Sequence, residues 1–249
     1  MHPSLRSVRH RPWPLPSGPW IMTQNWHDLL FAHWPLPADL MRKLLPETLE
    51  LELYDGQAWI SIVPFTMSAV RLRGTPALPW LSAFPELNVR TYVTAGGKPG
   101  VWFFSLDAAN PVAVELARLW FHLPYFHACM NSKSGAAGIV YSSRRSDRRA
   151  KRETLEVTYH AQGPQFEAGR GTLEYFLTER YCLYAQKPDG ELLRGEIHHA
   201  PWKLQDARAT LMANTMLENL KIAISVPPAV LHYSKLQQVI VWAPKRVPG

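Results

Sequence analysis

The chain has 249 residues and a net charge of +7, with 47% hydrophobic and 19% charged residues. This composition excludes an intrinsically disordered chain, and the length suits one large domain. Two cysteines exclude a disulfide framework, and no apolar run reaches the roughly 18 residues of a membrane-spanning helix, so we expect a soluble, cytoplasmic protein.

The first 21 residues differ in composition from the rest of the chain. They contain three arginines, five prolines and no acidic residue, and they have no hydrophobic period. We therefore predict that residues 1–21 are a disordered basic tail, or that the true start is Met22. Residues 23–245 are predicted to form a single domain, because no linker or internal repeat interrupts them.

The predicted elements are mainly strands with a few helices. Asp55-Gly56 is a tight hairpin turn signal, and Asn110 followed by Pro111 is typical of a helix start. In chain order the pattern predicts a helix over 37–45, strands over 49–54, 57–70, 85–93 and 101–107, a helix over 111–123, strands over 138–143 and 153–160, a short helix over 173–177, strands over 180–185 and 191–198, a helix over 206–220, and strands over 230–233 and 239–243. This order predicts an α+β fold with a mostly antiparallel curved or barrel-like sheet and two or three flanking helices.

The helix that follows Asn110 has the clearest amphipathic pattern in the sequence. Its apolar residues recur at helical spacing and predict one buried stripe, made of Val112, Leu116, Leu119, Trp120 and Leu123.

The strand over 85–93 carries chemically active side chains on one face. Because successive strand residues point to opposite sides, Glu86, Asn88, Arg90 and Tyr92 share a face. Such a row is either a polar network that fixes strand register or the lining of a ligand cavity. The planar guanidinium of Arg90 could donate two hydrogen bonds to a carboxylate or enolate. Burial would raise the pKa of Glu86 and Arg90 would lower it, and the sequence leaves the balance open.

Two other charged motifs have weaker functional interpretations. The basic run over 144–152 is interpreted as a solvated hairpin loop. Phosphate binding is the less favoured alternative, because no aromatic residues that could stack on bases are interleaved with the charges. Adjacent strand residues point to opposite faces, so His198 and His199 are poorly placed to share a metal. We predict no metal and no cofactor, and nucleic acid is a disfavoured partner.

Six segments resemble the YqjF-like family of uncharacterised bacterial proteins in content and order. They are WHDLLFAHWP at 26–35, FPELNVRTYV at 84–93, GVWFFSLD at 100–107, LPY at 123–125, TERY at 178–181 and HAPW at 199–202. That family in turn resembles the acetoacetate decarboxylase-like fold, a double-layered antiparallel barrel around a closed cavity. The resemblance implies that the polar row of the 85–93 strand points into such a cavity.

The resemblance also bears on the chemistry. It implies that Glu86 takes the place of a cavity glutamate of the decarboxylase, and that Tyr125 stands where the catalytic lysine is expected. A phenol cannot form a Schiff base with a ketone, although it can take part in acid–base chemistry. The next lysine, Lys133, falls in a predicted loop and is a poor substitute.

Together these patterns predict a small-molecule-binding protein with an enclosed polar pocket for a carboxylic or keto acid. Glu86 and Tyr125 are the candidate catalytic residues, for non-covalent acid–base chemistry rather than Schiff-base decarboxylation. The candidate ligand-binding residues are Asn88, Arg90, Tyr92 and Arg180, and Arg180 has the alternative of a structural pair with Glu179 or Glu86. Other functions left open are a non-catalytic ligand-binding or sensor protein and a basic nucleic-acid-associated protein. A homo-oligomer is also left open.

Overall fold

The computed structural model describes residues 2–78 and 80–247, and most of its regular structure is β-sheet. The strands are β1 (Met22–Leu36), β2 (Glu50–Leu51), β3 (Ala58–Leu72), β4 (Phe84–Ala95), β5 (Lys98–Ala108), β6 (Tyr125–Gly135), β7 (Gly138–Arg145), β8 (Thr154–Phe166), β9 (Cys182–Gln186), β10 (Leu192–His198), β11 (Leu204–Asn214), β12 (Val230–Val241) and β13 (Lys245–Arg246). The α-helices of these described residues are α1 (Ala38–Arg42), α2 (Pro111–Phe121) and α3 (Leu173–Thr178). None of the helices described is long and apolar enough to cross a membrane.

All thirteen strands belong to one large curved sheet. Their order is β13-β10-β9-β5-β6-β7-β8-β11-β12-β1-β3-β4-β2, and two further pairings, β4 with β5 and β10 with β12, join strands that are distant in this order. The paired strands run antiparallel except for β5 with β6 and β5 with β9. The predicted α+β class with a mostly antiparallel curved sheet is confirmed.

Strand β4 lies between β3 and β5, so both of its edges are hydrogen-bonded. Leu87 and Val89 are fully buried and pack into the main core cluster with residues of β1 and β3. Because side chains alternate along a strand, the neighbouring residues of β4 project from the opposite face. The register with β5 shifts between Val89 and Arg90, which is a β-bulge immediately before the arginine.

Helix α2 begins as predicted but buries a different face. The Asn110 side chain accepts a hydrogen bond from the Ala113 N–H, which caps the helix. Val114 and Phe121 are its buried residues, whereas Leu119 is 68% and Trp120 51% exposed. Val112 is 40% exposed as well, so the predicted stripe was wrong at these three positions.

The predicted helix over 206–220 is a strand for most of its length. Strand β11 pairs with β8, and its half-buried residues Ala207, Ala209 and Leu211 alternate with exposed Arg208 and Thr210. Alanine, leucine and methionine favour helices, but this period of two and the hydrogen bonds to β8 override that preference.

Two other boundaries also differ from the prediction. The segments over 230–233 and 239–243 belong to one continuous strand, β12, and part of the predicted loop over 131–138 is strand β6, which forms a hairpin with β7.

The basic run over 144–152 is only in part a solvated loop. Arg144 is exposed, but Arg145 at the end of β7 is fully buried between two carboxylates. Its Nε donates to Asp107 Oδ1 at 2.9 Å and its Nη1 to Glu153 Oε2 at 2.5 Å. The prediction was wrong for Arg145 because its partner Asp107 lies 38 residues away in the sequence.

Residues of the segment 2–21 contact the sheet, and the expectation of a disordered tail or a start at Met22 stays a prediction. Arg11 is buried, and its Nη1 donates to the Ile197 carbonyl at 2.5 Å while its Nη2 pairs with Glu196 at 3.2 Å. The Trp13 indole donates to the same carboxylate at 2.9 Å. These contacts tie the segment to β10.

The buried cluster of Arg145 gives a test of the fold. Replacing Arg145 with alanine leaves Asp107 and Glu153 buried without their cation, so we expect urea denaturation to show a loss of about 3–5 kcal/mol in the free energy of unfolding. The matched control is Arg144→Ala on the exposed face of the same strand, which should change it by less than about 0.5 kcal/mol. Equal effects of the two substitutions would contradict the packing described here.

Candidate functional site

A cavity of about 260 Å³ lies behind the polar face of β4. Its walls come from two apolar clusters, one built on β1, β3 and β4 and the other on β5, β9 and α2. Their aromatic members around the cavity are Trp26, Phe31, Phe65, Phe84, Phe103, Phe121 and Trp202, and Trp120 of α2 also lines it. The space is therefore predominantly apolar.

Five of the six predicted site residues line this cavity: Glu86, Asn88, Arg90, Tyr125 and Arg180. The three from β4 are only 2%, 6% and 8% exposed, respectively. The strand alternation therefore brings a carboxyl, an amide and a guanidinium together inside the protein and not on its surface.

Glu86 and Tyr125 are in direct contact. The Tyr125 hydroxyl donates to Glu86 Oε2 at 3.0 Å. Burial raises the pKa of Glu86 to about 8, while the hydrogen bond from Tyr125 opposes that shift. Burial also raises the pKa of Tyr125 well above its ordinary value. Of the two influences weighed from the sequence, burial prevails, and Glu86 is mainly a neutral acid at neutral pH.

Arg90 is a buried cation without an acidic partner. Its Nη2 donates to the Leu177 carbonyl at 3.2 Å, and its guanidinium lies 5.5 Å from the Phe31 ring centroid. In the part of the chain that the structure describes, no carboxylate is within ion-pair distance, and Arg90 Nε and Asn88 Oδ1 have no hydrogen-bond partner. Burial lowers the pKa of Arg90, but the ordinary value is high enough that the group stays charged.

Arg180 has a partner, so it differs from Arg90. Its Nη1 pairs with Glu52 and its Nε donates to the Phe176 carbonyl at 2.7 Å. The partners weighed from the sequence, Glu179 and Glu86, were therefore the wrong ones.

Tyr92 is the predicted site residue that does not line the cavity. Its ring packs between the two arginines, 5.9 Å from the guanidinium of Arg90 and 5.0 Å from that of Arg180. Its hydroxyl donates to the Leu177 carbonyl at 3.0 Å, the same oxygen that Arg90 contacts. Tyr92 therefore contacts the two arginines outside the cavity lining, although strand alternation predicted that it would line the cavity with Arg90.

Several lining residues were not predicted from the sequence. Trp26 and Trp202 face each other with ring centroids 6.1 Å apart, and His199 lies beside Trp202 at 5.2 Å. Burial lowers the pKa of His199 to about 4, so it is neutral. The sequence signal that could have identified these three residues is their position in the segments that resemble the YqjF-like family. Their contact in the fold depends on segments that are distant in the sequence.

The cavity offers neither a metal site nor an amine. Among residues 2–78 and 80–247, no group of three His, Cys, Asp or Glu side chains is arranged to hold a metal ion. No lysine is found among the residues that surround the cavity. Lys133 is exposed on β6, and Tyr125, for which the family resemblance predicts the place of the lysine, lines the cavity.

Comparison with known proteins supports the family resemblance. Residues 23–238 match the model of the DUF2071 family, described as "Uncharacterized conserved protein". The "Uncharacterized protein YqjF" of Bacillus subtilis (strain 168) is 46% identical over 228 residues, which is 92% of this chain and 93% of the relative. The predicted resemblance to the YqjF-like family is confirmed.

Solved structures with a similar fold are more distant in sequence. An acetoacetate decarboxylase-like enzyme from Sphingomonas wittichii RW1 has a TM-score of 0.62 at 14% identity, over 97% of this chain and 99% of that one. The enduracididine biosynthesis enzyme MppR, in complex with pyruvate, has a TM-score of 0.62 at 12% identity, over 96% of this chain and 93% of its own. At these identities the similarity shows the fold alone.

The raised pKa of Glu86 predicts a specific pH dependence of stability. At pH values between about 4.5, the ordinary pKa of an unfolded glutamate, and about 8, the pKa of Glu86 in the folded protein, Glu86 keeps a proton in the folded state that it has lost in the unfolded state. This contribution to the free energy of unfolding is therefore complete below about pH 4.5 and falls as the pH rises to about 8, by at most about 1.4 kcal/mol per pH unit.

Glu86→Gln keeps the shape and the acceptor for Tyr125 but cannot ionise. Its stability advantage over the wild type should grow between about pH 5 and pH 8 in chemical denaturation, and parallel pH profiles would contradict the shift. Asp107, whose pKa burial raises to about 6, is present in both proteins and cancels in the comparison.

Proposed function

This chain belongs to the DUF2071 family, and we propose that it binds a small carboxylic or keto acid in the cavity behind β4. Arg90 holds the carboxylate, and Asn88 and Arg180 complete the polar end of the site. Glu86 and Tyr125 lie beside the bound acid as an acid–base pair.

The observation that carries this proposal is the unpaired guanidinium of Arg90. A buried charge is costly unless it is paired, and an arginine without a counter-ion is destabilising in an apolar cavity. Glu86 is neutral under ordinary conditions and Arg180 is already paired with Glu52, so the cavity has an uncompensated positive charge. A bound carboxylate would supply the missing charge and could accept the free Arg90 Nε–H.

A protein of the same fold gives further support. MppR has been solved in complex with pyruvate, a small keto acid. The present chain has a cavity lined by charged and hydrogen-bonding groups within that same fold. The pocket of this chain is consistent with a ligand of that chemical class.

Catalysis is a second function favoured by the contact between Tyr125 and Glu86. A carboxyl group with a pKa of about 8 can both donate and accept a proton near neutral pH. A keto acid held by Arg90 would have its enolate stabilised by the guanidinium while Glu86 moved the α-proton. A tyrosine in place of the lysine leaves only this non-covalent path.

The nucleic-acid alternative has less support. Arg145 is buried between two carboxylates, and Arg149 pairs with Asp147 at 2.6 Å and with Glu115 at 2.7 Å. These ion pairs already engage two of the arginines that phosphate binding would need.

The first test measures binding with a charge variant. We expect phenylpyruvate to bind the wild type in isothermal titration calorimetry, and Arg90→Met to weaken binding by about tenfold to a hundredfold, because a charged hydrogen bond to a carboxylate contributes about 1.5–3 kcal/mol.

The matched control for charge is Arg208→Met on the exposed face of β11, which should leave the affinity unchanged. Wild-type binding that survives Arg90→Met unchanged would refute the proposed carboxylate site.

The second test separates an enzyme from a binding or sensor protein. In deuterated buffer, an enzyme of this kind should exchange the α-protons of bound phenylpyruvate, at a rate that rises with pH up to about 8 as Glu86 ionises. Glu86→Gln should abolish exchange while changing the affinity little, as followed by proton NMR. Binding without catalysed exchange in the wild type would instead establish the non-catalytic function.

A further inference from the structure

We infer that the ligand is an amphipathic monocarboxylate, with one acidic head and an unbranched or aryl apolar body of several carbons. This inference rests on the proposed function and adds the part of the molecule that Arg90 does not touch. It follows from the shape and composition of the cavity beyond its polar end.

The polar and apolar parts of the cavity are separated. Glu86, Asn88 and Arg90 are almost fully buried, whereas the cavity walls also include Leu72 and Trp120, which are 42% and 51% exposed. The buried polar groups of β4 therefore lie at the inner end, and the opening lies near α2 and the end of β3, where the exposed Arg71 also lines the wall. A ligand whose head reaches Arg90 must extend through the apolar section toward that opening.

The apolar section is too large for a three-carbon acid. Pyruvate has six non-hydrogen atoms, and a water molecule occupies about 30 Å³ of liquid volume. A cavity of about 260 Å³ thus has room for several further carbon atoms. Its walls include Phe65, Phe103 and Leu116, which gain free energy from contact with hydrocarbon rather than with water.

The same walls argue against a second charge on the ligand. Arg90 is the buried cation without a carboxylate partner among the described residues around the cavity, because Arg180 is paired with Glu52. A second carboxylate on a short ligand would lie among aromatic side chains, because Arg71, the further cation of the lining, is exposed beside Leu72 at the opening. Short dicarboxylates should therefore bind weakly.

A chain-length series tests this inference on the wild-type protein. We expect the dissociation constants of pyruvate, α-ketobutyrate, α-ketohexanoate and α-ketooctanoate to fall by roughly threefold per added methylene, as measured by calorimetry. The dicarboxylate α-ketoglutarate should bind more weakly than α-ketohexanoate. Affinity that is independent of chain length, or tighter binding of α-ketoglutarate, would overturn the inference.

A variant that fills the apolar section gives a second measurement. Ala117 on α2 lines the cavity, so Ala117→Phe should lower the ratio of α-ketooctanoate affinity to pyruvate affinity by at least about tenfold, since the added ring occupies the space of several methylenes. The control Val112→Phe, exposed on the same helix and outside the cavity, should keep the wild-type ratio. An unchanged ratio in Ala117→Phe would contradict the predicted path of the chain.

The outcomes separate this inference from the proposed function. If binding of every acid depends on Arg90 but not on chain length, the carboxylate site stands and the apolar body is refuted. If affinity increases with chain length but Arg90→Met has no effect, the proposed carboxylate site is refuted instead.

Discussion

The constraint on which this structure depends is the burial of a charged row on a central strand. The polar face of strand β4 is turned away from solvent, with Glu86, Asn88 and Arg90 all buried, so the groups on it must be neutralised or paired. Glu86 is neutralised by a pKa of about 8, and Arg180 is paired with Glu52. Arg90 contacts only a carbonyl and aromatic faces, and this incomplete compensation is the basis of the proposed anion site.

A second buried arginine shows what a purely structural solution looks like. Arg145 lies between Asp107 and Glu153, and its guanidinium also lies 4.6 Å from the Phe126 ring centroid. In that cluster the cation and the two carboxylates neutralise one another, and none of the three residues lines the cavity. The cluster joins β5 and β7 to the start of β8. Arg145 and Arg90 are both buried in the same protein, but Arg145 has two carboxylate partners and Arg90 contacts none among the described residues.

The sequence was informative where local rules determine the outcome and uninformative where distant segments meet. Alternation along β4 identified Glu86 and Arg90, and the cap at Asn110 fixed the start of α2. Alternation along β7 puts Arg144 and Arg145 on opposite faces, but nothing local identifies Asp107 on another strand as the partner of Arg145. Strand β11 was missed for the same reason: its alanines and leucines favour a helix, and only pairing with β8 makes it a strand.

The absence of a lysine among the described residues that line the cavity changes what the proposed site needs from its surroundings. A Schiff-base lysine acts through a covalent bond and makes the substrate carbonyl an electron sink by itself. Without such an amine, any negative charge that develops on the proposed keto acid would have to be stabilised by fixed groups already present. Arg90 is such a group, and it contacts the Leu177 carbonyl and the ring of Tyr92. The unpaired arginine and the lack of a lysine in the described lining thus support the same proposal, because a site that cannot bind its ligand covalently must rely on a preorganised charge.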